Sequence, residues 1–207
     1  MKIIFLGKPA AGKGTQARRL AEELDIPYIS TGEFFRAELK QGTELGKMAY
    51  EQYWKEGKLV PDDITNKIVE SQIKNYSNFI LDGYPRTLGQ AKFLDNITNI
   101  DLVINIDISD KDLMHRIEGR RYCPQCNANY NVNTAPKPKN DNLCDKCNIS
   151  LEIRPDEKPK ALAERLREYN EKTEPLIEFY KNKNILNNIE GNRSIENIYQ
   201  EILSLAK

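Results

Sequence analysis

Histidine, net charge and long apolar runs are all nearly missing from this chain. One histidine, His115, stands among 207 residues. Any histidine base would have to be that residue, and it falls in an amphipathic stretch between Leu113 and Ile117 that reads as a partly exposed helix face. Thirty-one Lys and Arg balance 31 Asp and Glu, which argues against a nucleic-acid binder that works by bulk electrostatics. No apolar run approaches the roughly 20 residues of a membrane span, and no basic segment leads into an apolar one. A soluble protein that stays in the cytoplasm, without membrane or nucleic-acid partners, is therefore expected. Cysteine is scarce as well. Four residues in two close pairs, with no leader, do not suggest a secreted disulfide scaffold.

What is present begins at the N-terminus. The apolar run Ile3-Ile4-Phe5-Leu6 leads into Gly7-Lys8-Pro9-Ala10-Ala11-Gly12-Lys13-Gly14-Thr15, and Gln16–Leu24 reads as a helix. A glycine-bearing loop between strand and helix, ending in Gly-Lys, cradles phosphate. Backbone N–H groups and the positive helix end converge on anionic oxygens, and the lysine adds charge. A nucleoside triphosphate is the expected ligand. The usual hydroxyl directly after the lysine is displaced by one residue, from Gly14 to Thr15.

Strand-like and helix-like segments then alternate. Strands are expected at Lys2–Leu6, Tyr28-Ile29, Phe79–Leu81, Leu102–Ile106 and Ile185–Ile189. Helices are expected at Lys13–Leu24, Thr31–Lys40, Glu44–Lys55, Asp62–Lys74, Leu88–Leu94, Lys111–Glu118 and Ser194–Ala206. A long helix over Lys160–Tyr180 should kink or break at Pro175. The pattern predicts an α/β fold, a doubly wound parallel sheet with ligands at the carboxyl ends of its strands. Gly7, Asp82 and Asp107 are candidates for that edge. Asp82 suits magnesium, directly or through water, or else caps a turn.

Residues 121–157 interrupt the alternation with a stretch rich in Asn, Pro and Cys. The spacing Cys123-x2-Cys126-x17-Cys144-x2-Cys147 places two thiolate pairs on two turns, a tetrahedral metal site. Structural zinc is the leading reading; a redox pair, free thiols or a rubredoxin-like iron site stay open. The insert has too few apolar residues for its own core, so a metal would serve as one. Its five acidic and five basic residues weaken a nucleic-acid ribbon. Arginines punctuate the rest: Arg36, Arg86, Arg116, Arg120, Arg121, Arg154, Arg165 and Arg167. Arg86 follows the turn Asp82-Gly83-Tyr84-Pro85, while Arg120 and Arg154 flank the insert, where each could swing a bidentate fork onto phosphate.

These blocks, with Ile29-Ser30-Thr31-Gly32-Glu33, Gly57-Lys58-Leu59-Val60-Pro61-Asp62 and Leu81-Asp82-Gly83-Tyr84-Pro85-Arg86-Thr87, make the chain resemble the adenylate kinases, in the bacterial form with a four-cysteine zinc lid. The resemblance covers essentially the whole chain, and the delayed hydroxyl is the form that family uses. It implies reversible phosphoryl transfer from Mg-ATP to AMP giving two ADP, adenine nucleotide homeostasis, structural zinc, and a monomer. It implies a core of residues 1–30, 61–120 and 158–207, an AMP-binding flap at 31–60, and a lid at 121–157. Ala10, Ala11, Gly12, Lys13, Gly14 and Thr15 would hold ATP phosphates, with Arg116, Arg120, Asn129, Tyr130 and Arg193 also toward ATP. Thr31, Arg36, Lys58, Leu59, Val60, Gly83, Tyr84, Pro85, Arg86 and Gln90 would take AMP, together with Arg154 and Arg165, which clasp the transferring group. Lys13, Asp82, Arg86, Arg120, Arg154 and Arg165 would be the catalytic set.

Three segments depart from the family pattern. Ala10 replaces a frequent glycine, Glu157 replaces the second acid of Arg-x-Asp-Asp, and Asp63-Ile64-Thr65-Asn66 replaces a more apolar run. Alternatives are a kinase for UMP, CMP or GMP, with Thr31 and Gln90 deciding the base, a P-loop switch, or a nucleic-acid-binding zinc ribbon. For the cysteine insert, elemental analysis is expected to find about one zinc per chain, and mild chelation to lower thermal stability. Full stability with no metal bound would overturn the structural-metal reading.

Overall fold

The computed structural model describes residues 1–207, apart from the side chain of Pro155. Its centre is a five-stranded parallel sheet built from β1 (Lys2–Leu6), β2 (Tyr28–Ser30), β3 (Phe79–Asp82), β4 (Leu102–Asp107) and β7 (Leu186–Glu190), in the order β2-β3-β1-β4-β7. The inner strands are apolar on both sides because helices cover both sides. Ile3, Phe5, Ile80 and Ile104 pack with α1 (Lys13–Leu24), α6 (Asp110–Gly119) and α9 (Ile195–Leu205). Ile4, Leu6, Leu81 and Val103 face the other way, onto α4 (Asp62–Ile73), α5 (Leu88–Ile97) and α8 (Pro175–Asn182). The strict alternation along each strand sets this division. Since every strand runs the same way, the expected edge forms: Gly7 follows β1, whereas Asp82 and Asp107 are the last residues of β3 and β4.

Two excursions leave the sheet. The first carries α2 (Thr31–Gln41), α3 (Glu44–Gln52) and a 3-10 turn at Trp54–Glu56. The expected helix to Lys55 stops early because Tyr53 leaves helical geometry, with φ −129° and ψ −64°. The second carries an antiparallel pair, β5 (Arg120–Tyr122) and β6 (Asn129–Asn131), with short bridges from Tyr122 to Glu152 and Leu143 to Ser150. Beyond it, the long expected helix is three pieces: α7 (Pro159–Glu168), a π-helical turn (Tyr169–Thr173) and α8. Pro175 has no N–H for a continuing ladder, and the wider turn closes with Glu174 N–H donating to the Tyr169 carbonyl at 2.9 Å. The turn also aims Thr173 at the sheet edge, where its hydroxyl donates to the Arg86 carbonyl at 2.8 Å. No helix among the described residues is long and apolar enough to cross a membrane.

Gly57 ties the first excursion to α7. Its φ is +84°, and a Cβ there would stand 2.0 Å from the Ala161 carbonyl oxygen. Gly57→Ala is expected to cost on the order of 2–4 kcal/mol. A thermal melt should fall by about 5–10 °C.

Candidate active site and metal centre

The loop after β1 is shaped by close backbone approach. Gly7 has φ +135°, and a Cβ there would sit 2.3 Å from the Ile106 carbonyl oxygen of β4. Gly12 precedes α1 at φ 101° and offers no side-chain cap, so the first N–H groups of the helix stay available to an anion. Ala10 adopts φ 61°, a left-handed conformation that costs an alanine about 1 kcal/mol. The methyl group is tolerated, at a small strain, in place of the frequent glycine.

Gly14 has its own reason. A Cβ on it would lie 3.2 Å from Asp82 Oδ2 and 3.4 Å from the Tyr28 hydroxyl. A serine or threonine there would crowd the carboxylate at the end of β3, so the hydroxyl follows one residue later on exposed Thr15. Tyr28, which sequence reasoning missed, donates to Asp82 Oδ2 at 2.8 Å and fixes that carboxylate.

Lys13 folds back on the loop, donating to the carbonyls of Gly7 at 2.6 Å and Lys8 at 2.8 Å. Burial pushes its ammonium down to about 7; Asp82 opposes this, and Arg86, Arg165 and Arg120 add to it.

A cavity opens beside the loop, between the sheet edge and the first excursion. Thr31, Arg36, Lys58, Leu59, Val60, Gly83, Arg86, Gln90 and Arg165 all line it, as do Trp54, Thr65 and Phe35, the last of which the sequence reading did not single out. Tyr84 and Pro85 are buried behind it rather than lining it, and the Tyr84 hydroxyl donates to Asn66 Oδ1 at 2.7 Å. Thr65 is buried and donates to the Pro61 carbonyl at 3.1 Å, fastening the start of α4. The polar run at 63–66 thus supports this cavity from below.

Arginines close the space between loop and cavity. Arg165 pairs with Asp156, and Arg120 pairs with Glu157 at 2.9 Å. Glu157, the departure in the acidic pair, also lies 3.9 Å from Arg165, so it bridges the two arginines. Burial would raise the Asp156 carboxyl, but Arg165, Arg154, Arg36 and Arg120 outweigh it and hold the group below its ordinary range. Arg86 is pushed down to about 10 by burial and by its neighbour Arg165, with Asp82 opposing. Arg154 is 7 % exposed, and its Nε is buried without a partner, as is that of Arg36. The site holds a surplus of cationic groups facing one another.

The other expected triphosphate contacts separate. Arg116 donates to the Ala11 carbonyl at 3.0 Å and to the Gly191 carbonyl, at the sheet edge. Arg193 lies in the turn after β7, where its Nε donates to the Glu190 carbonyl at 3.2 Å and it pairs with Glu201. Asn129 accepts from Arg154. Tyr130 instead turns into the cysteine module, where its hydroxyl lies 3.6 Å from Cys144 Sγ. The second excursion reaches over the first: Lys40 Nζ donates to the Gln125 carbonyl at 2.7 Å. Tyr50 and Trp54 face Tyr122 and Pro124 across that seam.

The four cysteines converge, with sulfur atoms all within 4.8 Å of one another. Four thiolates at zinc distances would stand about 3.8 Å apart. Cys126 and Cys144 Sγ are 3.6 Å apart, and all four thiols are free. Two matching turns present them. Cys123 N–H donates to Ala128 O and Cys144 N–H to Ile149 O, both at 2.9 Å, and Asn127 and Asn148 each take the left-handed position at the second cysteine's shoulder. Donor chemistry and spacing fit a closed four-thiolate ion.

A phosphate loop after β1, a second cavity on the same edge and arginines between them define a P-loop kinase acting on a nucleotide acceptor. The chain belongs to the adenylate kinase family: the family model described as adenylate kinase matches residues 5–185. An adenylate kinase of Thermoanaerobacter sp. (strain X514) is 48% identical, with 98% of this chain and 96% of the relative covered. One from Caldanaerobacter subterraneus subsp. tengcongensis is 47% identical, over 98% of this chain and 94% of the relative. One from Archaeoglobus fulgidus is 46% identical, over 98% of this chain and 96% of its own length.

Lys13 generates a pH prediction. Its folded pKa, about 7, lies below its ordinary 10.5. Between these values the unfolded chain holds the proton and the ligand-free fold does not, so this group's contribution to stability grows as pH rises through the window. Bound phosphate reverses the depression. Calorimetry of an ATP analogue at pH 8, in buffers of different ionisation enthalpy, should show uptake of up to about one proton. The uptake should be absent near pH 6 and in Lys13→Met.

Proposed function

We propose that this protein transfers the terminal phosphoryl group of Mg-ATP reversibly to AMP, giving two ADP and balancing the adenine nucleotides. The observation that carries this reading is the buried cationic cluster between the phosphate loop and the cavity beside it. Lys13, Arg86, Arg120, Arg154 and Arg165 lie where a phosphoryl group would pass from loop to cavity.

Their roles follow from that placement. The backbone N–H groups of Ala11 to Thr15 and the α1 N-terminus receive the ATP phosphates, and Lys13 exchanges its two carbonyl partners for phosphate oxygens. Arg36 and Arg86 orient the AMP phosphate, while Arg120, Arg154 and Arg165 neutralise charge on the transferring group. The AMP oxygen that attacks is already ionised, so no general base is required. Magnesium, carried in with ATP, supplies charge neutralisation at the phosphates, and Asp82 on its Tyr28 tether is the carboxylate placed to hold its waters. Residues 31–60 act as the flap and 121–157 as the lid, which meet through Lys40 and Gln125, and their closure over bound nucleotides excludes water that would otherwise accept the phosphoryl group. The cysteines hold zinc as the lid's core. A cytoplasmic monomer suits this reading.

Coupled turnover tests it. ADP formation is expected with ATP plus AMP and magnesium, and only a trace of turnover with ATP alone. Equal consumption of ATP with and without AMP would overturn the kinase reading.

A further inference from the structure

The acceptor cavity contains a device that fixes which end of an amide faces the base. Gln90 is 2 % exposed and lines the cavity. Its Oε1 accepts from the Arg86 backbone N–H at 2.7 Å, and its Nε2 donates to Asp62 Oδ1 at 2.8 Å. Neither partner can exchange roles: a backbone N–H only donates, and a carboxylate only accepts. A flipped Gln90 would set donor against donor and acceptor against acceptor, losing both bonds in a buried place. Asp62 is itself held, since the Thr87 hydroxyl donates to its Oδ2 at 2.6 Å while accepting from Gln90 N–H at 3.1 Å. The carboxylate fits because residue 89 is glycine; a Cβ there would stand 2.8 Å from Asp62 Oδ2.

We propose that Asp62 is a specificity-determining positioning residue: by fixing the polarity of the Gln90 amide, it selects an adenine edge over a guanine edge in the acceptor nucleotide. What Gln90 has left is one N–H of Nε2 and one lone pair of Oε1, in a set order. Adenine presents the N1 acceptor beside the 6-amino donor and satisfies that order. Guanine presents an N1–H donor beside the O6 acceptor and needs the amide reversed. With phosphate and ribose anchoring the base, the nucleotide cannot turn over to compensate. This inference rests on the cavity being the AMP site.

Asp62→Asn keeps the shape but can donate as well as accept, which removes one of the two restraints on the Gln90 amide and leaves the Arg86 N–H alone to oppose a flip. Its expected effect is a rise of about tenfold in the KM and calorimetric Kd for AMP, the scale of a paired base-edge contact. The Kd for GMP should fall at least about threefold, and kcat with AMP should change less than KM. Gly89→Ala, which displaces the carboxylate without altering Asp62, should move the AMP-to-GMP ratio the same way. If either variant folds and its GMP affinity does not rise, Asp62 merely supports the start of α4, and the proposal fails. The parent protein separates this from the kinase reading: no turnover with AMP there sinks that reading, whereas AMP turnover with an unmoved ratio sinks this one alone.

Discussion

Everything in this molecule is arranged around cationic groups held together without enough anions. Lys13, Arg36, Arg86, Arg120, Arg154 and Arg165 crowd one edge of the sheet, opposed by Asp82, Asp156 and Glu157. Such a cluster is unfavourable alone, because burial strips water from each charge and the neighbours repel. The continuous apolar sheet offsets that cost. Ile3, Ile4, Phe5, Ile80, Leu81, Val103 and Ile104 are essentially inaccessible to water, and they hold the strand ends in place whatever the charges prefer. An anionic substrate then contributes twice, through its contacts and by relieving the repulsion, so bound nucleotide also stabilises the fold.

The same logic explains Glu157. An aspartate would be shorter by one methylene; the glutamate spans from Arg120 to the vicinity of Arg165 and ties the start of the second excursion to α7. The second excursion lacks an apolar core of any size, and its buried apolar residues are Cys123, Tyr130, Cys144 and Leu151. Two copies of one turn, each with asparagine in the left-handed position, hold its sulfurs together.

Much of this was legible in the sequence because the signals were local. The phosphate loop, the cysteine spacing and the strand alternation each lie within a short window, and their physics does not depend on distant residues. The missed features depend on tertiary neighbours. Tyr28 matters only because β3 brings Asp82 beside it, and Asp62 only because α5 brings Gln90. The helix break at Tyr53 leaves no periodicity to read, whereas the break at Pro175 was legible from the proline and only its π-helical form was not. Tyr130 is a further case: the resemblance implied a nucleotide contact there, and in the fold its hydroxyl lies beside Cys144, a neighbour 14 residues away in sequence. Both odd positions in the phosphate loop acquired reasons in the fold, Gly14 from the carboxylate beside it and Ala10 from a backbone conformation alanine can reach.

The contact between the two excursions has an evolutionary consequence. Lys40 binds the main-chain carbonyl of Gln125, not its side chain. The carbonyl is supplied by the turn that carries Cys123 and Cys126, so a change of the residue 125 side chain leaves the Lys40 partner in place. The rest of the seam, where Tyr50 and Trp54 face Tyr122 and Pro124, depends on its side chains, so drift at residue 125 is tolerated where drift at those four positions is not.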